Sequence, residues 1–169
     1  MAGEASASAG GELDARSRRI LSLFDQLERE SIDLHTFFEF VGGNPPAARE
    51  AVLDAVAALA KRSLLAADRG GDFFRRTEEG RLALAGPRDI TLYTREGCHL
   101  CDEARTQILS IIGEFGAQLH EVDIDDDPAL NDRYTNDVPV ILVGRKMVAQ
   151  HRLDGMRLRR ELQEAKRLQ

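Results

Sequence analysis

The sequence predicts two small packed units, an α+β unit followed by an α/β unit. Three observations lead there. Apolar positions recur at helical spacing from Leu13 to about Ala85, and after Gly86-Pro87 the rhythm becomes strand, helix, strand, helix. Two short apolar runs flank Gly70-Gly71 and mark a hairpin that closes the first half. Cys98 and Cys101 stand where the first strand of the second half gives way to a helix. The divisions expected are a flexible tail over 1–12, a first domain over 13–86 and a second over 87–169. There is no internal repeat.

Composition narrows the function. With 43% hydrophobic and 31% charged residues over 169 positions, two cores fit and wholesale disorder does not. The net charge is -6, and each half carries three more acidic than basic residues, eleven against fourteen before Pro87 and twelve against fifteen from there on. Such a balance argues against a surface that grips nucleic acid broadly. No apolar run reaches the length of about 18 residues that reads as a membrane span. The opening MAGEASASAG has neither a basic start nor an apolar stretch, so the expected location is the cytoplasm. Two cysteines are too few for a disulfide-stapled secreted scaffold.

In the first half, Ile20, Leu23, Phe24 and Leu27 place an amphipathic helix over roughly 14–29. Ser31 to Leu34 reads as extended. His35 to Val41 is a short apolar helix stopped by Gly42-Gly43, and Asn44 is the expected cap of a helix opened by Pro45 or Pro46. That helix, running to about Arg62, carries Val52, Val56 and Leu59, with Leu53 and Ala60 beside them. Leu64 to Ala67 and Phe73 to Thr77 form the hairpin, and Thr77 caps one more short helix. This order, and the segment RSLLAADRGGDFFRRTEEGRLAL, resemble the wing and closing helix of bacterial winged helix-turn-helix regulators. The resemblance implies a DNA-binding ancestry, but fold alone assigns no function. The helix that would read bases, Ala47 to Leu59, offers Arg49 against Glu50 and Asp54. The wing offers Arg69, Arg75 and Arg76 against Asp68 and Asp72. Packing or partner docking is the preferred reading, with nucleic-acid contact as the alternative.

In the second half, Ile90 to Thr94 is a strand, and a helix starts near Cys98 with Leu100, Ala104, Ile108, Ile111 and Phe115 on one face and Gly116 at its end. His120, Val122 and Ile124 alternate along a second strand, with His120 read as a structural residue. A short helix spans about Pro128–Tyr134. Val138 to Val143 and Met147 to Ala149 are two more strands around Gly144-Arg145-Lys146. The last helix buries Leu158, Leu162 and Ala165 and shows Arg159, Arg160, Lys166 and Arg167 to solvent. Asp123, Asp125 and Asp127 have the spacing that opens a calcium loop, but Pro128 takes its glycine position and Tyr134 that of its last glutamate, so a strand end and helix cap is the better reading. Met147 and Met156 are core or surface filling.

The chemistry follows from where the cysteines sit. The thiolate attacks a disulfide. At a helix N-terminus, unpaired N–H groups and the dipole favour an anion. Cys98 stands there, so its pKa should fall below about 8.5, with Arg95 and His99 adding positive charge and Glu96 and Asp102 opposing it. Cys101, one turn on, is the deeper partner and within reach to resolve a mixed disulfide. The competing reading of C-x-x-C, half of a zinc site, needs two more ligands; there is no third cysteine, and His35, His120 and His151 are scattered. No metal is expected.

The order of elements, with Val138-Pro139 opening a strand, resembles the thioredoxin fold. LYTREGCHLCDEA, EVDIDDDPAL and YTNDVPVILVGRKMV resemble small bacterial glutaredoxin-like proteins over about 89–165. The resemblance implies that Cys98 is the nucleophile, Cys101 the resolving thiol and Pro139 a cis proline lying against them. It implies that Val138 offers main-chain hydrogen bonds to a peptide or glutathione, and that Arg95 stands near a glutathione carboxylate. The glycine pair and Thr/Ser-Asp that hold glutathione's γ-glutamyl end in glutaredoxins are replaced by Ala149-Gln150-His151-Arg152-Leu153-Asp154. No cofactor is required on this reading, and glutathione is an optional ligand. The expected function is a cytoplasmic thiol–disulfide oxidoreductase acting on a disulfide-bearing protein or small thiol, reduced in turn by a thioredoxin-reductase- or glutathione-type partner. Its rival is a redox-responsive DNA-binding transcription regulator.

Overall fold

The computed structural model describes residues 12–42 and 45–168. The tail expected over 1–12 therefore falls outside the described residues but for Glu12, as do Gly43 and the expected cap Asn44. The chain divides into two compact units, one ending at Leu84 and the other beginning at Ala85. Among the described residues no helix is long and apolar enough to cross a membrane.

The first unit is helix, strand, two helices, hairpin, helix. Helix α1 (Ala15–Gln26) is capped by Asp14, whose carboxylate accepts from the Ser17 amide at 2.9 Å and its hydroxyl at 2.8 Å. The sequence expectation overshoots its end: Glu28 takes φ 51 and the Arg29 amide turns back onto the Phe24 carbonyl. Strand β1 (Ser31–Asp33) leads into α2 (Leu34–Val41), which Asp33 caps and Gly42, at φ 101, ends. Helix α3 (Pro46–Lys61) opens on the proline pair, Pro45 preceding it as a residue that makes no side-chain cap. Strands β2 (Leu65–Ala67) and β3 (Phe73–Arg76) form the hairpin, and β1 joins it, giving an antiparallel sheet of order β1-β3-β2. Helix α4 (Glu78–Leu84) follows, with the Thr77 hydroxyl accepting from the Gly80 amide at 3.0 Å. The core gathers Ile20, Leu23, Phe24, Ile32, Phe37, Val56, Leu59 and Phe74. Phe37 sits between Phe24 and Phe74, with ring centroids 6.1 and 6.0 Å away. Leu53, read as standing beside the stripe of α3, lies 43% exposed, because successive helical positions are about 100° apart and Val52 already faces the core.

The second unit is a four-stranded sheet of order β5-β4-β6-β7. Strand β4 (Ile90–Thr94) runs parallel to β5 (Leu119–Asp123) and antiparallel to β6 (Val140–Val143), which pairs with β7 (Lys146–Gln150). Helix α5 (His99–Phe115) makes the crossover that a parallel pair requires. Helix α7 (Gly155–Arg167) packs beside it. Period-two alternation divides the layers. Ile90, Leu92, Ile141 and Val143 face Ala104, Ile108, Ile111, Leu158 and Leu162 in one core. Tyr93 points to the other face and stacks on Tyr134 of α6 (Pro128–Tyr134) at 4.9 Å.

Several side chains depart from their expected places. The buried stripe of α5 runs through Cys101, not Leu100, which is 37% exposed; Cys101, Ala104, Ile108 and Ile111 hold the i, i+3, i+7, i+10 spacing. Ile124, expected to extend β5, is buried in a 3-10 turn over Ile124–Asp126. His120 faces solvent from the outer strand and comes only within 4.0 Å of Asp89. Met147 and Met156 take the surface option of their core-or-surface reading. Asp123 and Asp127, by contrast, are the caps expected of them, of the turn and of α6, accepting from the amides of Asp125 and Ala129 at 2.9 and 2.8 Å.

Candidate active site

The site grows from the end of β4. After Thr94 the chain runs through Arg95 and Glu96 to Gly97, whose φ of 74 reverses it without the cost a Cβ would carry there. Cys98 is then the N-cap of α5, in extended conformation, and its carbonyl accepts from the amides of Cys101 and Asp102. Its sulfur accepts from the Cys101 amide as well, at 3.2 Å. Cys98 and Cys101 are joined as a disulfide, with sulfurs 2.12 Å and Cα atoms 5.2 Å apart. Two intervening residues make this closure possible, because one helical turn brings the side chains onto the same side. The two sulfurs differ in access: Cys101 is fully buried, whereas Cys98 is only partly covered.

Pro139 comes to the same end of the sheet through strand pairing. Tyr93 lies opposite Val140, so Pro139 is next to the end of β4 from which the cysteine loop departs. The Val138–Pro139 bond is cis. The Pro139 carbonyl accepts from the His151 amide at 2.9 Å, and the Asp137 carbonyl shares that donor at 3.2 Å. Val138, partly covered, precedes the cis bond. His151 takes φ 63 at the position next to the strand end. Asp154 caps α7, accepting from the Met156 amide at 2.9 Å, so a carboxylate stands at that helix start although the residues before it differ.

The expected cations are placed otherwise than the sequence suggests. Arg95 does not turn its charge to Cys98. Its Nε and Nη2 bind the two oxygens of Asp125 at 3.2 and 2.5 Å, and its Nη1 donates to the Thr135 carbonyl at 3.3 Å. The hydrogen bonds to Asp125 raise the Arg95 pKa and, from the other side, lower that of Asp125. Asp125 also accepts from the Asn131 amide nitrogen at 2.5 Å. His99, 84% exposed, leans to Glu103 at 3.6 Å. Arg105 holds Asp102 and Glu121, an arrangement that the spacing Asp102, Arg105 allows and the sequence reading passed over. The group that donates to the Cys98 sulfur is the main-chain amide of Cys101 at the helix N-terminus. Sequence reasoning took the acids at 123–127 as caps and so missed Asp125 as the partner of Arg95; their ion pair spans thirty residues, and no local spacing announces it.

Among the described residues no group of three or more His, Cys, Asp or Glu side chains is arranged to hold a metal ion.

Residues 89–163 match the family described as Glutaredoxin-like domain (DUF836). A glutaredoxin-like protein of Dictyostelium discoideum is 30% identical over 87 residues, spanning 48% of this chain and 81% of its own. Among solved structures, a structural genomics target protein from X. campestris is 35% identical, covering 44% of this chain and 96% of that one with a TM-score of 0.39. The structure of a malarial protein is 18% identical, over 46% and 94%, with a TM-score of 0.36.

Proposed function

The chain belongs, through its second unit, to the glutaredoxin-like family, and we propose that it is a thiol–disulfide oxidoreductase whose working pair is Cys98 and Cys101. One observation carries this reading: the partly accessible sulfur of Cys98 caps α5 and is bonded to a fully buried partner sulfur one turn deeper.

In the reduced protein, the Cys98 thiolate attacks one sulfur of a client disulfide. A Cys98–client disulfide forms and the other client sulfur leaves as a thiolate. Cys101 then loses its proton to solvent and displaces the client's first sulfur, leaving the Cys98–Cys101 bridge. Two electrons have passed from the protein to the client. The thiolate is favoured by the amide of Cys101 and the open N-terminus of α5. Pro139 bounds the site, and the main chain at Val138 is the pairing edge for an extended client segment. A thioredoxin-reductase- or glutathione-type reductant returns the bridge to the dithiol.

We read the first unit as a winged helix that docks a protein partner. Its element order and three-stranded sheet support this. Two arginines that would have faced nucleic acid are engaged in the fold: Arg49 lies over the Phe38 ring at 5.5 Å, and Arg76 binds Asp25 and the Leu21 carbonyl. Insulin reduction driven by dithiothreitol tests the exchange reading. The wild-type chain should accelerate it and Cys98→Ser should not; equal rates would sink the assignment. Cys101→Ser should trap clients as mixed disulfides.

A further inference from the structure

One cation in the loop carrying Cys98 is held by partners remote in sequence. Arg95 lies three residues before the outer sulfur and is 30% exposed. Its carbonyl accepts from the Cys98 amide at 3.3 Å, so this cation is anchored in the loop that an anionic disulfide must approach. Yet both carboxylate oxygens of Asp125 already bind it, and the Thr135 carbonyl takes a further N–H. Asp125 is fixed in turn by Asn131, and its own amide donates to Asp123. The pair is bidentate, the geometry in which guanidinium recognises a carboxylate best. It is also intramolecular, so an external carboxylate competes against a high effective concentration. Glu96, Asp123 and Asp126 carry further negative charge along the two segments that Arg95 and Asp125 join.

We propose that Asp125 is a specificity-determining residue: by occupying Arg95 it takes the place of a substrate carboxylate, and so steers the Cys98–Cys101 pair away from small anionic thiols such as glutathione and toward disulfides in neutral or basic protein segments. This rests on the exchange function proposed above. The covalent steps are unchanged; Asp125 sets only the charge of the disulfide that reaches Cys98. Like-charge rejection of this kind is how a site discriminates without a new attractive contact. The lowered pKa of Asp125 agrees with a carboxylate that stays ionised in this role.

The test follows thiol loss from the reduced full-length chain against three small disulfides: oxidised glutathione (anionic), 2-hydroxyethyl disulfide (neutral) and cystamine (cationic). Each rate is divided by that of dithiothreitol with the same disulfide, so that leaving-group differences cancel. In the wild type the normalised rates should rise from anionic to neutral to cationic, and the spread should shrink at high salt. Asp125→Asn should raise the ratio of oxidised glutathione to 2-hydroxyethyl disulfide by about fivefold, the size of an exposed ion pair. Adding Arg95→Gln should abolish that gain. Rates independent of charge in the wild type, which needs no variant to fold, would overturn the proposal, as would an unchanged ratio in a folded Asp125→Asn. Failure to exceed dithiothreitol with all three disulfides would instead bring down the exchange function itself.

Discussion

The main-chain amide of Cys101 donates to the sulfur of Cys98 across 3.2 Å, so the outer sulfur caps the helix that carries the inner one. The donor belongs to the backbone, and replacing the side chain at 101 leaves it in place. In reduced protein the Cys98 pKa should therefore lie below the free-thiol value of about 8.5, both in the wild type and in Cys101→Ser. Thiolate absorbance against pH reads it directly. Because Arg95 and His99 are turned to Asp125 and Glu103, the depression should owe little to them, and Arg95→Gln should leave the midpoint in place. A midpoint at or above 8.5 in Cys101→Ser would show that the helix terminus does not activate the sulfur.

Gly80 lies in the first turn of α4, where alanine would ordinarily gain about 1 kcal/mol of helix propensity. Here the sign reverses. A Cβ at this position would lie 2.2 Å from the Leu64 carbonyl oxygen, a backbone atom that also accepts from the Thr77 amide and so has little room to retreat. Gly80→Ala should destabilise the first unit by about 2 kcal/mol net, the range of an overpacked interior site. Faster hydrogen exchange in α1 and α4 with unchanged exchange in the second unit would be the expected pattern. Equal or greater protection would mean that α4 slides freely on the hairpin.

The same contact shows what was and was not legible beforehand. The phrase Thr77-Glu78-Glu79-Gly80 could be read as a cap and a short helix because capping is local chemistry. That Gly80 is needed for close approach to Leu64 could not, because residue 64 reaches it only through the hairpin. The cysteine pair is similar. Its place at the start of α5 follows from hydrophobic period and spacing, whereas the cis state of Pro139 was available only through resemblance. The Leu100 placement failed by one helical position, an error of about 100° that arose because Cys101 was read for its chemistry and not for its packing. Arg95 failed differently. Its sequence neighbours are the cysteines, but its partners lie on the segments after β5 and α6, and only the fold brings them together.

Acid should loosen α2 through its cap. Asp33 accepts from the Thr36 amide and hydroxyl, both at 2.9 Å, and the amide bond foremost holds its pKa below the usual aspartate value. A lowered folded-state pKa means that the stabilisation is complete above the unfolded pKa of about 3.9 and is lost as pH falls through the folded value. Asp33→Ala should cost about 1 kcal/mol at neutral pH. The gap to the wild type should narrow below pH 4. Both tyrosines lie in the second unit and there is no tryptophan, so exchange of α2 amides is the suitable readout. A gap that stays constant to pH 2 would show that the hydroxyl of Thr36, and not the charge, carries the cap.

Arg76 ties the hairpin to α1. Its Nη1 donates to the Leu21 carbonyl at 3.0 Å and to Asp25 at 2.6 Å, its Nη2 donates to Asp25 at 2.5 Å, and its guanidinium lies over the Phe24 ring at 5.8 Å. The side chain is only 13% exposed, while Asp25 is 64% exposed. A residue so enclosed serves the fold, and its charge is spent on the helix instead of an outside anion. Lysine keeps the charge but cannot make the forked contact or lie flat on the ring. Arg76→Lys and Arg76→Ala should therefore both destabilise the first unit, by about 2 kcal/mol in the alanine case, read as faster exchange in β3 and α1. If Arg76→Lys matched the wild type, simple charge neutralisation would suffice at this position, and the surface of the hairpin would again be open to a phosphate-contacting role.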